Sequence, residues 1–397
     1  MPKRMMVFPF SVPTDGRGRM ADDAQGVYAR SLARTLAERL TMPRRLAARL
    51  AALTTDGPPG SADGEGQGWV VASQPWTLDQ AVKLTLPKGT EYLLHGSAEL
   101  TDRVRLRIFL VDSPAKQLAL DHVVLRPRNE LFAALDEAAM AVARALGESA
   151  PQGAWPTRDV EAYLAYLRGR DLAAAHAAGV RVVDPAQSFE PYLEAARRDP
   201  QFVEAQDRLV ALALDFAFSG RGPVAAARAS CEQLLAIDPS AYKAHAALAE
   251  MDLLAGDGKA AEGRLLRALQ LAPGWMGGFE RMGTALLRQG RFGEAVAWFE
   301  RALAVRADDT AAVQGLGAAL AECGRTEEAV RAFERAISLG AHSAEAHDAL
   351  ALLLPSLGRS KEARAHRRQS RVLLGKPRTV LYLLRDAWEW VLGGTGR

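Results

Sequence analysis

The chain has 397 residues, of which 49% are apolar and 24% charged, and a formal charge of +3. That length exceeds one hydrophobic core and suits two or three domains, and that balance excludes a largely disordered chain. No uninterrupted apolar run reaches the roughly 18 residues a spanning helix needs. Cys231 and Cys323 are too few for a disulfide framework or a cysteine-rich metal site, which points to a reducing, cytoplasmic setting. The charge is uneven: residues 1–150 carry +2, residues 151–358 carry −6 and residues 359–397 carry +7. An anionic contact is therefore expected at the C-terminal end.

The opening MPKRMMVFPFSVP has the basic residues of a secretion signal. Its apolar stretch is short, broken by Pro9, and lacks a small-residue cleavage site, so 5–12 reads as a strand. Residues 25–40 form an amphipathic helix with Val27, Leu32, Leu36 and Leu40 near one side. RRLAARLAAL (44–53) reads as a second helix, and the Gly/Pro-rich stretch 54–68 as a flexible loop. A strand over 69–73 and a helix over 77–86 come next, then strands over 91–101, 103–112 and 116–127. A helix over 129–147 closes an α/β domain of residues 1–150.

Within it lie Pro9-Phe10, Leu94-His95-Gly96-Ser97, Asp102-Arg103-Val104-Arg105, Leu110-Val111-Asp112 and Leu131-Phe132. In this order they resemble the TolB amino-terminal-like domain, related to FlgO. The resemblance implies a bacterial regulatory architecture in which such a domain precedes helical repeats. It transfers no catalytic residue, and His95 stands where that family more often has an acid.

After a linker over 151–157 the pattern becomes periodic. Gly256, Gly290, Gly324 and Gly358 are spaced by 34 residues, as are Leu248, Met282, Leu316 and Leu350. Ala261, Ala295, Ala329 and Ala363 keep the same period, as do Ala268, Ala302 and Ala336, and Leu265, Phe299 and Phe333. The spacing predicts stacked helical hairpins: each glycine ends a first helix in a left-handed turn, alanines allow close approach, and Leu or Phe fills the gaps. Blocks at 241–273, 278–309, 311–340 and 344–370 repeat this pattern. A block at 202–239 has about five extra residues at its turn, and 162–200 forms a first, irregular one. These residues resemble the tetratricopeptide repeat. The resemblance implies an all-α solenoid of about six repeats over 158–375, a right-handed superhelix that binds proteins. Residues 376–397, basic and amphipathic, are expected to cap its end, with weak contact to an anionic membrane as the other use.

No constellation in the sequence argues for catalysis. The phosphate-cradling motif is absent, and Gly64-x-Gly66-x-Gly68 precedes a strand instead of coming after one. Gly315-x-Gly317 belongs to a repeat column. His95, His122, His176, His245, His342, His347 and His366 share no helical face with metal-ligand spacing. Cys231 fills a packing column, and Cys323 has no evident histidine partner. The expectation is a scaffold without enzyme activity, metal or cofactor, and with no nucleic acid as partner. In it, the first helices of the hairpins line a concave groove for a peptide or helix of a partner protein. Its candidate contacts are Lys243, Glu250, Glu280, Thr284, Arg288, Gln314, Glu345 and Asp348, more acid than base, which excludes a carboxylate clamp and favours a basic or helical segment. A second candidate surface is Arg364, Arg368, Arg371, Arg378, Trp388 and Trp390. The alternative is a regulator whose N-terminal domain senses a small ligand.

Overall fold

The computed structural model describes residues 3–8, 10–11, 24–41, 46–50, 77–81, 83, 88–149, 153–177, 185–219, 223–340 and 343–374. The expected loop over 54–68, the strand over 69–73 and the C-terminal helix over 376–397 lie outside them. The chain divides into two compact units, residues 1–205 and 206–397.

The first unit is built on a five-stranded sheet of order β2-β1-β3-β4-β5. Its elements are β1 (Lys3–Val7), α1 (Ala24–Thr41), β2 (Leu46–Leu50), the single turn α2 (Leu78–Ala81), β3 (Tyr92–Leu100), β4 (Arg103–Asp112), β5 (Gln117–Pro127) and α3 (Leu131–Ala145). β1 runs parallel to β2 and β3, whereas β3, β4 and β5 form an antiparallel meander. β4 alternates as its sequence demands: Val104, Leu106, Ile108 and Leu110 are buried while Arg103, Arg105 and Arg107 are exposed. α1 and α3 pack against the sheet and each other, burying Leu32, Leu36 and Leu40 from one and Leu131, Leu135 and Val142 from the other.

One expected helix is a strand. Residues 46–50 pair in register with β1, Lys3 opposite Leu46 and Val7 opposite Leu50. Leu46, Ala48 and Leu50 satisfy a period of two as well as one of 3.6, and the partner that decides between them lies some 40 positions earlier.

The hairpin of α4 (Val160–Ala177) and α5 (Glu190–Arg198), expected as the first repeat, falls within the same unit as the sheet. α4 lies on α1, where the Arg30 guanidinium donates to both Asp171 carboxylate oxygens at 2.9 and 2.6 Å. Ser31 Oγ donates to the Leu167 carbonyl at 3.3 Å, and the Thr35 and Tyr163 hydroxyls are 3.2 Å apart. Arg39 bonds Asp136 at 2.9 Å and lies 4.5 Å over the Trp155 ring. Buried charges persist only when paired, so this network fixes where the hairpin sits.

The second unit is helical: α6 (Val203–Ser219, which starts at the end of the first unit), α7 (Val224–Ile237), α8 (Tyr242–Leu254), α9 (Gly258–Leu271), α10 (Gly277–Arg288), α11 (Phe292–Val305), α12 (Thr310–Glu322), α13 (Thr326–Ser338), α14 (Ala344–Leu353) and α15 (Ser360–Leu374). The glycine column behaves as its spacing requires. Gly256, Gly290, Gly324 and Gly358 have φ of +82°, +74°, +75° and +75°, a region closed to most side chains. The residue after each closes the turn: the N–H groups of Asp257, Arg291, Arg325 and Arg359 donate to Asp252, Leu286, Leu320 and Leu354 carbonyls at 2.9–3.0 Å.

The apolar columns form one core. Ala261, Ala295, Ala329, Ala268 and Ala336 are fully buried, and so is Leu265. Phe299 is 1% exposed, and its ring is seated between two glycines. A Cβ at Gly283 would lie 2.8 Å from that ring, and one at Gly315 only 2.4 Å. Gly317 stands in the same way against Phe333, at 3.1 Å.

Stability should respond at two places. Phe299→Ala and Phe333→Ala should each cost about 3–5 kcal/mol, read as a lowered midpoint in urea. In the first unit, burial pushes the His95 imidazole down to about 4, where it stacks on Phe109 at 5.2 Å. The unfolded chain then binds the extra proton between that value and the ordinary 6.5, so stability falls as pH drops through this window, by up to about 3 kcal/mol. His95→Leu should flatten that part of the urea midpoint–pH curve.

Candidate interaction surface

The first helices α8, α10, α12 and α14 neighbour one another in sequence order, so their outer sides make one continuous face. Its best-developed part spans α8 and α10. Glu250 of α8 pairs with Arg281 of α10, and the same guanidinium lies 3.5 Å from Glu280. Thr284 Oγ1 donates to the Glu280 carbonyl at 3.2 Å, and Arg281 donates to the Gly277 carbonyl at 3.1 Å. Arg281 also lies 5.8 Å over the Trp275 ring, which in turn is 6.0 Å from Tyr242. Lys243, above Tyr242, bonds Asp207 of α6 at 2.7 Å.

Two carboxylates thus share one guanidinium. Burial lifts the Glu280 carboxyl above its ordinary value, against the pull of Arg281, and nearby Glu250 and Asp309 add to the rise. For Arg281, burial works against the charge, but Glu250 and Glu280 outweigh it and raise its pKa. The patch is half-buried, acidic in sum and floored by aromatic rings.

Of the residues expected to line this face, the structure joins Glu250 and Glu280 through Arg281, Thr284 through Glu280, and holds Lys243 on Asp207. Arg288, Glu345 and Asp348 are exposed and Gln314 is half-buried, and Arg288, Gln314 and Asp348 make no hydrogen bond or ion pair with that cluster. Arg364, Arg368 and Arg371 are exposed on α15, while Arg378, Trp388 and Trp390 lie outside the described residues. Sequence reasoning passed over Arg281 and Trp275. The trace was there: Arg281 occupies a column that holds Ala247, Gly315 and Ala349 in the other repeats.

The remaining chemistry-bearing side chains pack. Cys231 is fully buried, which pushes its thiol up to about 12, whereas Cys323 is exposed. The Nδ1 atoms of His347 and His366 are 2.8 Å apart across α14 and α15. His342 lies outside the described residues, as does the side chain of His176. Among the described residues no three His, Cys, Asp or Glu are grouped to hold a metal ion, and no helix is long and apolar enough to cross a membrane.

Comparison with known proteins adds a family match. The tetratricopeptide repeat model matches residues 286–353, from the end of α10 to the end of α14. Among solved structures, MamA from Desulfovibrio magneticus is 19% identical, covering 42% of this chain and 94% of that one with a TM-score of 0.37. YrrB, described as a tetratricopeptide-repeat protein with an unusual peptide-binding site, is 18% identical over 49% of this chain and 97% of its own, also at 0.37. No curated protein sequence matches the chain. The family match thus covers helices α11 to α14 of the second unit.

If Arg281 neutralises this patch, Arg281→Met strands two half-buried carboxylates. The variant should lose about 2–3 kcal/mol at neutral pH. The deficit should shrink as pH falls and Glu280 takes up a proton, which urea titrations at several pH values would read.

Proposed function

We propose that the protein is a non-catalytic interaction scaffold that takes a peptide or helix of a partner protein on the first-helix face of its repeats. One observation supports this reading: the Glu250–Arg281–Glu280 cluster, acidic in sum and set against Trp275 and Tyr242, lies half-buried across the first helices α8 and α10. Such a patch suits a segment with Lys or Arg side chains, whose stems lie on rings and whose heads reach carboxylates. Glu345 and Asp348, exposed on α14, extend the acidic character along the face. The remaining parts of the reading are a cytoplasmic setting in bacterial signalling or assembly, a superhelical stack of repeats, and an N-terminal domain of the TolB amino-terminal-like type.

The test is crosslinking of the full chain in its native extract, with the products read by mass spectrometry. Partner peptides should attach around α8, α10, α12 and α14, and should be rich in Lys or Arg. Glu345→Lys with Asp348→Lys should weaken capture of the identified partner at least several-fold. Partner attachment confined to residues 1–205, unchanged by these substitutions, would contradict the reading.

A further inference from the structure

The second helices of the hairpins turn a stripe towards the next hairpin. In α11 it is Val296, Phe299 and Leu303, and in α13 Val330, Phe333 and Ile337, all packed in the core. Phe299 reaches Gly315 of the next first helix. In α15 the same three positions are Arg364, Arg367 and Arg371. All three are exposed.

At 3.6 residues per turn, Lys361, Arg364, Arg367, Arg368 and Arg371 fill an arc of about 120°. No acid falls within it. The opposite side holds Ala363, Ser370 and His366, which are buried or half-buried. Elsewhere in this unit, arginines at hairpin turns are clamped by carboxylates: Arg291 by Glu262 and Glu294, Arg325 by Glu328, Arg359 by Glu334 and Glu362. The four arginines of the arc make no hydrogen bond or ion pair with any described residue. Like charges three and four residues apart on a helix repel. A terminal hairpin needs only a polar outer face, which mixed charges supply without that repulsion.

Covering this arc with the apolar side of an amphipathic helix, as a cap formed by residues 376–397 would do, desolvates its four guanidiniums. We propose instead that the arginine arc of α15 docks the protein on an anionic phospholipid bilayer, its guanidinium forks pairing with lipid phosphates. Three observations favour a bilayer over a long polyanion such as RNA. Residues 206–358 carry a formal charge of −4, which a strand running along the unit would meet and a flat surface touching α15 would not. Val372, at the edge of the arc, is 55% exposed. The chain continues with Tyr382, Trp388 and Trp390, residue types that favour the membrane interface.

The experiment is cosedimentation of the full chain with vesicles of phosphatidylcholine alone or mixed with phosphatidylglycerol. Binding should require phosphatidylglycerol and fall as salt rises. Replacing Arg364, Arg367 and Arg371 together by Gln should weaken it about fivefold per arginine, with the thermal unfolding midpoint unchanged. Replacing them by Lys, which keeps the charge, should retain most of the binding, and this variant carries the test if the Gln variant misfolds. Binding indifferent to phosphatidylglycerol or to salt would overturn the proposal. So would a folded Gln variant that binds like the wild type, or tighter binding of single-stranded RNA than of the anionic vesicles. Crosslinking of the partner on the first-helix face is a separate readout, so failure here leaves that reading standing.

Discussion

A ring seated against backbone is the constraint on which the repeat unit depends. Phe299 fills the space between α10, α11 and α12 only because Gly283 and Gly315 present no side chain to it. Close-packed interiors leave no slack at such a point: one methyl group either fits or displaces its neighbours. The repeats answer in matched pairs. Phe299 goes with Gly283 and Phe333 with Gly317, whereas the smaller Leu265 goes with Ala249 at the equivalent position. The hairpin spacing, and with it the line of first helices that forms the candidate surface, results from that exchange of volume.

From this packing come two surfaces of opposite character. On the first helices α8 and α10, Glu250, Glu280 and Arg281 sit half-buried beside the core, where pairing offsets the cost of burying their charges. At α15 the covering stripe itself changes from Val, Phe and Leu or Ile to arginine, which leaves a cationic face. The same helical position is therefore core in α11 and α13 and surface in α15. In the first two a neighbouring first helix covers it, and the helix itself is built alike in all three.

The repeats were legible because identical contacts recur every 34 residues, so each glycine turn and alanine contact is written several times. The column Arg291, Arg325 and Arg359, each clamped three residues on by Glu294, Glu328 and Glu362, keeps that period too, and was readable though it carries little stability. Strand β2 was not legible, because five residues of Leu, Ala and Arg fit either period and only pairing with β1 decides. The docking of α4 on α1 was hidden for a related reason. Arg30 and Asp171 lie 141 positions apart, and nothing local marks them as partners. Arg281 escaped notice because a periodic reading weighs what recurs, whereas this residue matters by departing from a small-residue column.

The most direct measurement is a thermodynamic cycle in urea on Phe299→Leu, Gly283→Ala and the two combined, which rebuilds the pairing used by Leu265 and Ala249. If ring and glycine are matched, each single change destabilises, and the double variant loses less than their sum by more than about 1 kcal/mol. Strict additivity within about 0.5 kcal/mol would mean that the two positions do not touch, and the register of the repeats would be wrong.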